Sequence, residues 1–115
     1  MLFQVRTDNH IANSEGLSDH VRAEVEGTLT RRFADRLRRV EVYLKDVNGR
    51  KGGIDKNCAV EAHLDGHQPV TAHHRAADID EAVRGAVDKL ARALQHTLGR
   101  LADREGHLPA SGAPG

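Results

Sequence analysis

The sequence holds a single cysteine, Cys58, no tryptophan, one tyrosine and two phenylalanines. One cysteine excludes an internal disulfide framework and a cysteine-based zinc site. With so few aromatics, the core has to be built from Val, Leu, Ile and Ala. No apolar run approaches the roughly 20 residues that a helix needs to cross a bilayer. The opening residues Met1 to Asp8 lack a basic stretch followed by an apolar one, so no secretory signal peptide is expected. These absences predict a soluble, cytoplasmic protein of a reducing compartment. A length of 115 residues suits one domain and is short for two. Net charge is also missing, since 17 basic and 17 acidic side chains cancel. A neutral total speaks against a nucleic-acid partner.

The distribution of that charge says otherwise. Residues 1–30 set Arg6 and Arg22 against Asp8, Glu15, Asp19, Glu24 and Glu26. Residues 31–56 are strongly basic, with Arg31, Arg32, Arg36, Arg38 and Arg39 close together. Residues 57–83 turn acidic again, and residues 84–115 are mildly basic. Segregated charge makes local fields that a net total conceals.

Periodicity sets the order of elements. Leu2 to Arg6 alternates, with Phe3 and Val5 on one face, and predicts a short strand. Ser14 offers an N-cap oxygen, and Leu17, Val21, Val25, Leu29 and Phe33 follow at four-residue steps. Each such step overshoots a full α-helical turn by about 40°, so the stripe drifts as it runs along a helix over residues 15–34. Arg39 to Lys45 and Cys58 to Leu64 alternate cleanly, with Val40, Val42, Leu44, Cys58, Val60, Ala62 and Leu64 inward. Asp65-Gly66 marks a hairpin, and Val70 to His74 forms its return strand. Only an odd loop length, the three residues Asp65 to His67, keeps Val70 and Ala72 on the inward face. Asp78 and Glu81 have capping-box spacing, and Ile79, Val83, Ala86, Val87, Leu90, Leu94, Leu98 and Leu101 form a tight stripe that predicts a helix over 79–101. The tail from residue 103 to 115 has no periodicity and is expected to be flexible beyond a domain of residues 1–102.

The resulting fold class is α+β, in the order β-α-β-β-β-α. One apolar face per sheet and one stripe per helix are satisfied together when both helices pack on the same face of a four-stranded sheet. The other sheet face would then show Gln4, Arg6, Glu41, Tyr43, Lys45, Glu61, His63, Thr71, His73 and Arg75.

Catalytic constellations are lacking. Cys58 is placed inward, and Ser14, Ser18 and Ser111 fall at caps or in the tail, so no nucleophile has a base beside it. His73 and His74 point to opposite faces of a strand, and His63 and His73 share a face without pairing directly. No catalytic residue, cofactor, metal site or small-molecule substrate is expected, and the fold should need no metal to form. The glycine-rich stretch from Asp46 to Lys56 has neither EF-hand nor Walker spacing, but it carries the cations Arg50, Lys51 and Lys56 on a loop. On the last helix Lys89, Arg92, His96 and Arg100 fall within about 80° of one another, a ridge beside the apolar stripe. Such a ridge suits a phosphate backbone, where each cationic contact releases counterions. Arg38 and Arg39 extend a second basic group at the end of the first helix.

Three stretches together resemble the ribosome hibernation-promoting factor / ribosome-associated inhibitor family, also called sigma-54 modulation proteins. They are Asn13-Ser14-Glu15-Gly16-Leu17; Arg39-Val40-Glu41-Val42 running into Asp46-Val47-Asn48-Gly49, then Asp55-Lys56 and Cys58; and Asp78-Ile79, Ala82-Val83 and Asp88-Lys89-Leu90-Ala91-Arg92-Ala93-Leu94. The resemblance covers residues 2–101. It implies a double-stranded-RNA-binding-like fold and a short form without the second, dimerising domain of the family's long members. It also implies a translation inhibitor that binds rRNA in the decoding region of the small ribosomal subunit under stress. By position, Lys89 and Arg92 would be rRNA-contacting cations. The alternative is a small stress-response or protein-interaction module of the same fold without tight ribosome binding. A metal-dependent enzyme using the histidines is a third, more distant reading.

Overall fold

The computed structural model describes residues 1–8, 11, 14–47 and 56–105, with side chains as far as residue 100. The elements are β1 (Leu2–Thr7), α1 (Glu15–Val25), a π-helical turn (Glu26–Thr30), α2 (Arg31–Phe33), β2 (Leu37–Asp46), β3 (Lys56–Leu64), β4 (Val70–Ala76) and α3 (Ile79–Glu105). The sheet order is β1-β2-β3-β4. β1 lies parallel to β2, with Leu2 opposite Arg39 and Thr7 opposite Leu44. A parallel pair needs a crossover, and the helical stretch from Glu15 to Phe33 supplies it. The other two pairs are antiparallel. The expected α+β order is the order observed.

The expected first helix is three pieces, and the drift of its stripe explains why. Ser14 caps α1, its Oγ accepting the Leu17 N–H at 3.1 Å. After Val25 the Arg31 N–H reaches back five residues to the Glu26 carbonyl. A π turn winds through a smaller angle per residue than an α-helix. It therefore cancels the overshoot of the four-residue steps. Val21, Val25 and Leu29 are all fully buried, and Phe33 is nearly so. Leu17, expected inside, is half-buried at the start of α1.

The second hairpin follows from its turn. Gly66 has φ 72°, a left-handed conformation that suits glycine. Ala62 pairs with Val70, Val60 with Ala72 and Ala59 with His73, the register of a three-residue loop. In the preceding hairpin the strands run further than expected, since Asp46 and Lys56 still pair. Lys56 thus opens β3 and is not a loop residue. Arg50 and Lys51 lie outside the described residues.

One continuous core joins the helices to the inner sheet face, with Val40, Val42, Val60, Ala62, Val83, Val87, Leu90 and Leu94 fully buried. Ile11, between β1 and α1, belongs to the same core. Cys58 is fully buried, and burial pushes its thiol up to about 12. At neutral pH it is a small apolar side chain. Asp78 caps α3, its Oδ1 accepting the Glu81 N–H at 2.8 Å. His74 lies on the helix side of β4, where its ring occupies the space that a Cβ on Gly85 would need. α3 continues to Glu105, four residues past the end predicted from its stripe. Residues 106–115 lie outside the described residues.

Candidate functional site

α3 is 27 residues long, or about 40 Å, and its two ends differ in charge. Its first turn carries Asp80 and Glu81, where the helix dipole favours acids. Asp80 is tied to α1 through His20, Nε2 to Oδ1 at 2.6 Å, and to Arg84 at 2.8 Å. The His20 contact, aided by Arg84, holds the Asp80 carboxyl below its usual range. The later half carries the ridge. Lys89, Arg92, His96 and Arg100 are all exposed, as the periodicity predicts. Lys89 Nζ donates to the His73 carbonyl at 3.2 Å, which fixes the base of the ridge against β4. None of Arg92, His96 and Arg100 is engaged by another described residue.

A second basic group stands beside that ridge. Arg32 donates to Gln95 Oε1 at 3.0 Å and lies over the Phe33 ring. Gln95 is one helical step from Arg92 and His96. Arg31, Arg32 and Arg36 line a shallow pocket with Phe33, Ala34 and Asp35. The Arg32–Gln95 contact therefore sets Arg32 at the flank of the ridge, with Arg31 and Arg36 beside it in the chain. Their proximity was not legible in the sequence, because the residues lie some sixty positions apart.

The remaining candidates scatter. Arg38 is exposed and pairs with Asp65 at 3.0 Å. Arg39 pairs with Glu41 at 3.2 Å. Lys56 is paired with Asp46 at 3.3 Å and is largely covered. Arg39 and Lys56 belong to opposite ends of the β2–β3 ladder, about 20 Å apart by strand rise. The structure gathers the α3 ridge but does not bring Arg38, Arg39 and Lys56 to one place.

The open sheet face holds a cluster that sequence reasoning missed. Glu41, expected to be solvated there, is only 6 % exposed. Tyr43 donates its hydroxyl to Glu41 Oε1 at 2.5 Å. That bond holds the Glu41 carboxyl below its usual range, with burial opposing and Arg39, His63 and Arg6 assisting. The same bond, with burial and the negative charge of Glu41, pushes the Tyr43 hydroxyl up. His63 Nε2 lies 3.5 Å from Glu61 Oε1 and 4.0 Å from Glu41 Oε1. Among the described residues, Glu41, Glu61 and His63 form the group with ligand atoms close enough to share an ion. Strand alternation put all three on one face; the register of β2 on β3, hidden by the long loop between them, was the missing signal.

Taken together, fold and surface define a small α+β domain with a cationic helix flank. The chain belongs to the sigma 54 modulation protein / S30EA ribosomal protein family, matched over residues 4–102. Its fold is similar to that of a ribosomal subunit interface protein from Coxiella burnetii, with a TM-score of 0.71 and 15 % identity over 86 % of this chain and 99 % of that one. It is also similar to the N-terminal domain of Protein Y from Thermus thermophilus, with a TM-score of 0.67 and 19 % identity over 84 % of this chain and 97 % of that one. Comparison with curated protein sequences gives no match. Among the described residues, no helix is long and apolar enough to cross a membrane.

Proposed function

We propose that this protein is a ribosome hibernation factor of the cytoplasm, which binds rRNA in the decoding region of the small subunit and arrests translation under stress. Family membership and the likeness to a ribosomal subunit interface protein support the partner. The observation that carries the mode of binding is the exposed, unengaged flank of Arg92, His96 and Arg100, anchored by Lys89 and widened by Arg31, Arg32 and Arg36. Cations on a convex helix engage phosphates, which position a protein without reading base sequence. A neutral protein can bind RNA in this way when many of its acids lie elsewhere, as on α1 and at the start of α3.

Co-sedimentation with small subunits across a salt series tests the reading. Binding should fall steeply with salt, with a slope set by the number of phosphates engaged. Lys89→Glu with Arg92→Glu should lower binding at every salt concentration while leaving the fold intact, since both residues lie off the apolar stripe. Arg84→Glu, at the acidic end of the same helix, should bind as the parent does. Parent-like binding of the double variant would overturn the assignment of the ridge. Failure of the parent to sediment with ribosomes would favour a protein-interaction module on this fold.

A further inference from the structure

We propose that the open face of the sheet carries a slot for an adenine mononucleotide, with Tyr43 and His73 as its walls, Ala59 as its floor and Asn57 and Lys45 at its rim. The register sets these residues in two rows. Tyr43, Ala59 and His73 are direct partners across β2, β3 and β4, and Lys45, Asn57 and Arg75 form the next row on the same face. Tyr43, Lys45, Asn57, Ala59 and His73 line one shallow cavity of about 270 Å³. Pockets for drug-sized ligands hold about 300–1,000 Å³, so this one suits a single heterocycle.

Ala59 is what opens the slot, a small side chain between two rings. Neighbouring strands lie about 4.8 Å apart, which sets the Tyr43 and His73 backbones about 9.6 Å apart. A flat ring in van der Waals contact on both sides needs about 7–8 Å between its neighbours. The spacing therefore admits one base between the two walls and no second. Both walls are held in place. The Tyr43 hydroxyl donates to Glu41 Oε1, and the His73 backbone carbonyl accepts from Lys89 Nζ at 3.2 Å. Walls fixed beforehand lose little freedom when a ligand enters.

The second observation is the chemistry at the rim. The side chains of Lys45, Asn57 and His73 are engaged by no other described residue. Asn57 is half-buried, with the donor and the acceptor of its amide both open to a ligand. A side-chain amide pairs with the N6 and N7 edge of adenine through both groups at once. Lys45 is exposed directly opposite Asn57, where its ammonium can meet a phosphate as a mobile point charge. Arg6, opposite Tyr43, and Arg75, opposite Asn57, add positive charge on either side. The carboxylates of Glu41 and Glu61 stand in the row beyond Ala59, about 7 Å along the strands, and are occupied by Tyr43, Arg39 and His63. A base over Ala59 thus has its phosphate drawn toward Lys45 and away from the acids. One base and one lysine match a free mononucleotide; an unpaired adenosine of an RNA strand offers the same groups and is the competing source.

The test is titration of the full chain with adenosine 5′-monophosphate, followed by amide NMR shifts and by calorimetry. Saturable shifts centred on Ala59 and its neighbours on the open face are expected. Ala59→Leu, which fills the slot from an outward-facing position, should abolish binding while its circular dichroism matches the parent. His73→Ala, at an exposed position, should weaken binding about 5- to 150-fold, the range for removing an aromatic ring from a stacked base. Asn57→Ala should erase the preference for adenosine over uridine monophosphate. Lys45→Glu should weaken the monophosphate and leave adenosine itself unchanged. Thr71→Ala, on the same face outside the slot, should bind as the parent does. Absence of saturable binding in the parent overturns the proposal. Equal binding of inorganic phosphate overturns it, since that is attraction of any anion. Binding that survives both Ala59→Leu and His73→Ala overturns it as well. Binding of a short oligoadenylate strand without binding of the mononucleotide overturns it in favour of RNA. None of these results touches the α3 ridge, which is measured with ribosomes.

Discussion

At the scale of single residues, Gly85 shows how a side chain on one element dictates what another can carry. In an exposed helix, Gly→Ala stabilises by about 1 kcal/mol through backbone entropy. Here the ring of His74 fills the position of the new methyl. Gly85→Ala should therefore lower stability, by about 1–3 kcal/mol as overpacked cores do, and His74→Ala should restore it in the double variant; denaturant unfolding reads both. Glu41 gives a prediction in pH. Its carboxyl is held below the usual range, chiefly by the Tyr43 hydroxyl, so its contribution to stability is present above the unfolded pKa and is lost as pH falls through the folded one. Tyr43 is pushed up, so its contribution is present below its unfolded pKa and is lost as pH rises through the folded value. Unfolding midpoints should decline on both the acid and the alkaline side, and Tyr43→Phe should flatten both limbs. Alternation in the sequence assigned Glu41 to the open face but not to its depth. Depth depends on what Tyr43, Arg39 and His63 place over it, which no local pattern records.

At the scale of elements, the π turn absorbs one residue too many for an α-helix. Deleting Gly27, an exposed residue within the turn, should give a continuous α-helix in which Val25, Leu29 and Phe33 still face the core. Helical circular dichroism should rise, and the melting temperature should hold or increase. Inserting an alanine at the same point should instead rotate Leu29 and Phe33 about 100° out of register and destabilise the fold. The turn was visible in the sequence only as the drift of a four-residue stripe, a symptom that an ordinary curved helix would share. The hairpin from β3 to β4 was legible in full, because Asp65-Gly66 and the parity of Val70 and Ala72 leave one register. The end of α3 was not, since Arg104 and Glu105 extend the helix beyond its last stripe leucine, Leu101.

For the whole molecule, the sheet separates two roles. Its inner face and the helices make the core, while its outer face carries Glu41, Glu61 and His63. The fold should thus form without any ion. Chelator should leave the circular dichroism spectrum and melting temperature of the protein unchanged. Charge follows a different division. Many of the acids lie on α1 and at the start of α3, while the ridge on α3 carries Lys89, Arg92 and Arg100 against Asp88, an excess of cations within a neutral chain. That arrangement was legible along the sequence for α3 itself. The addition of α2 to the ridge depended on tertiary packing through Arg32 and Gln95.

The parallel pairing of β1 has a consequence for the order of events during synthesis. β2 and β3 each pair with the next strand across a hairpin, but β1 has to wait through the helical crossover until Arg39 to Leu44 have been made. At about 5–20 residues per second that is a delay of seconds, in which Phe3 and Val5 remain uncovered. The strand made first thus waits longest for its partner. Until β1 is seated, the margin of β2 from Arg39 to Leu44 stands bare, a template for any extended chain that reaches it first.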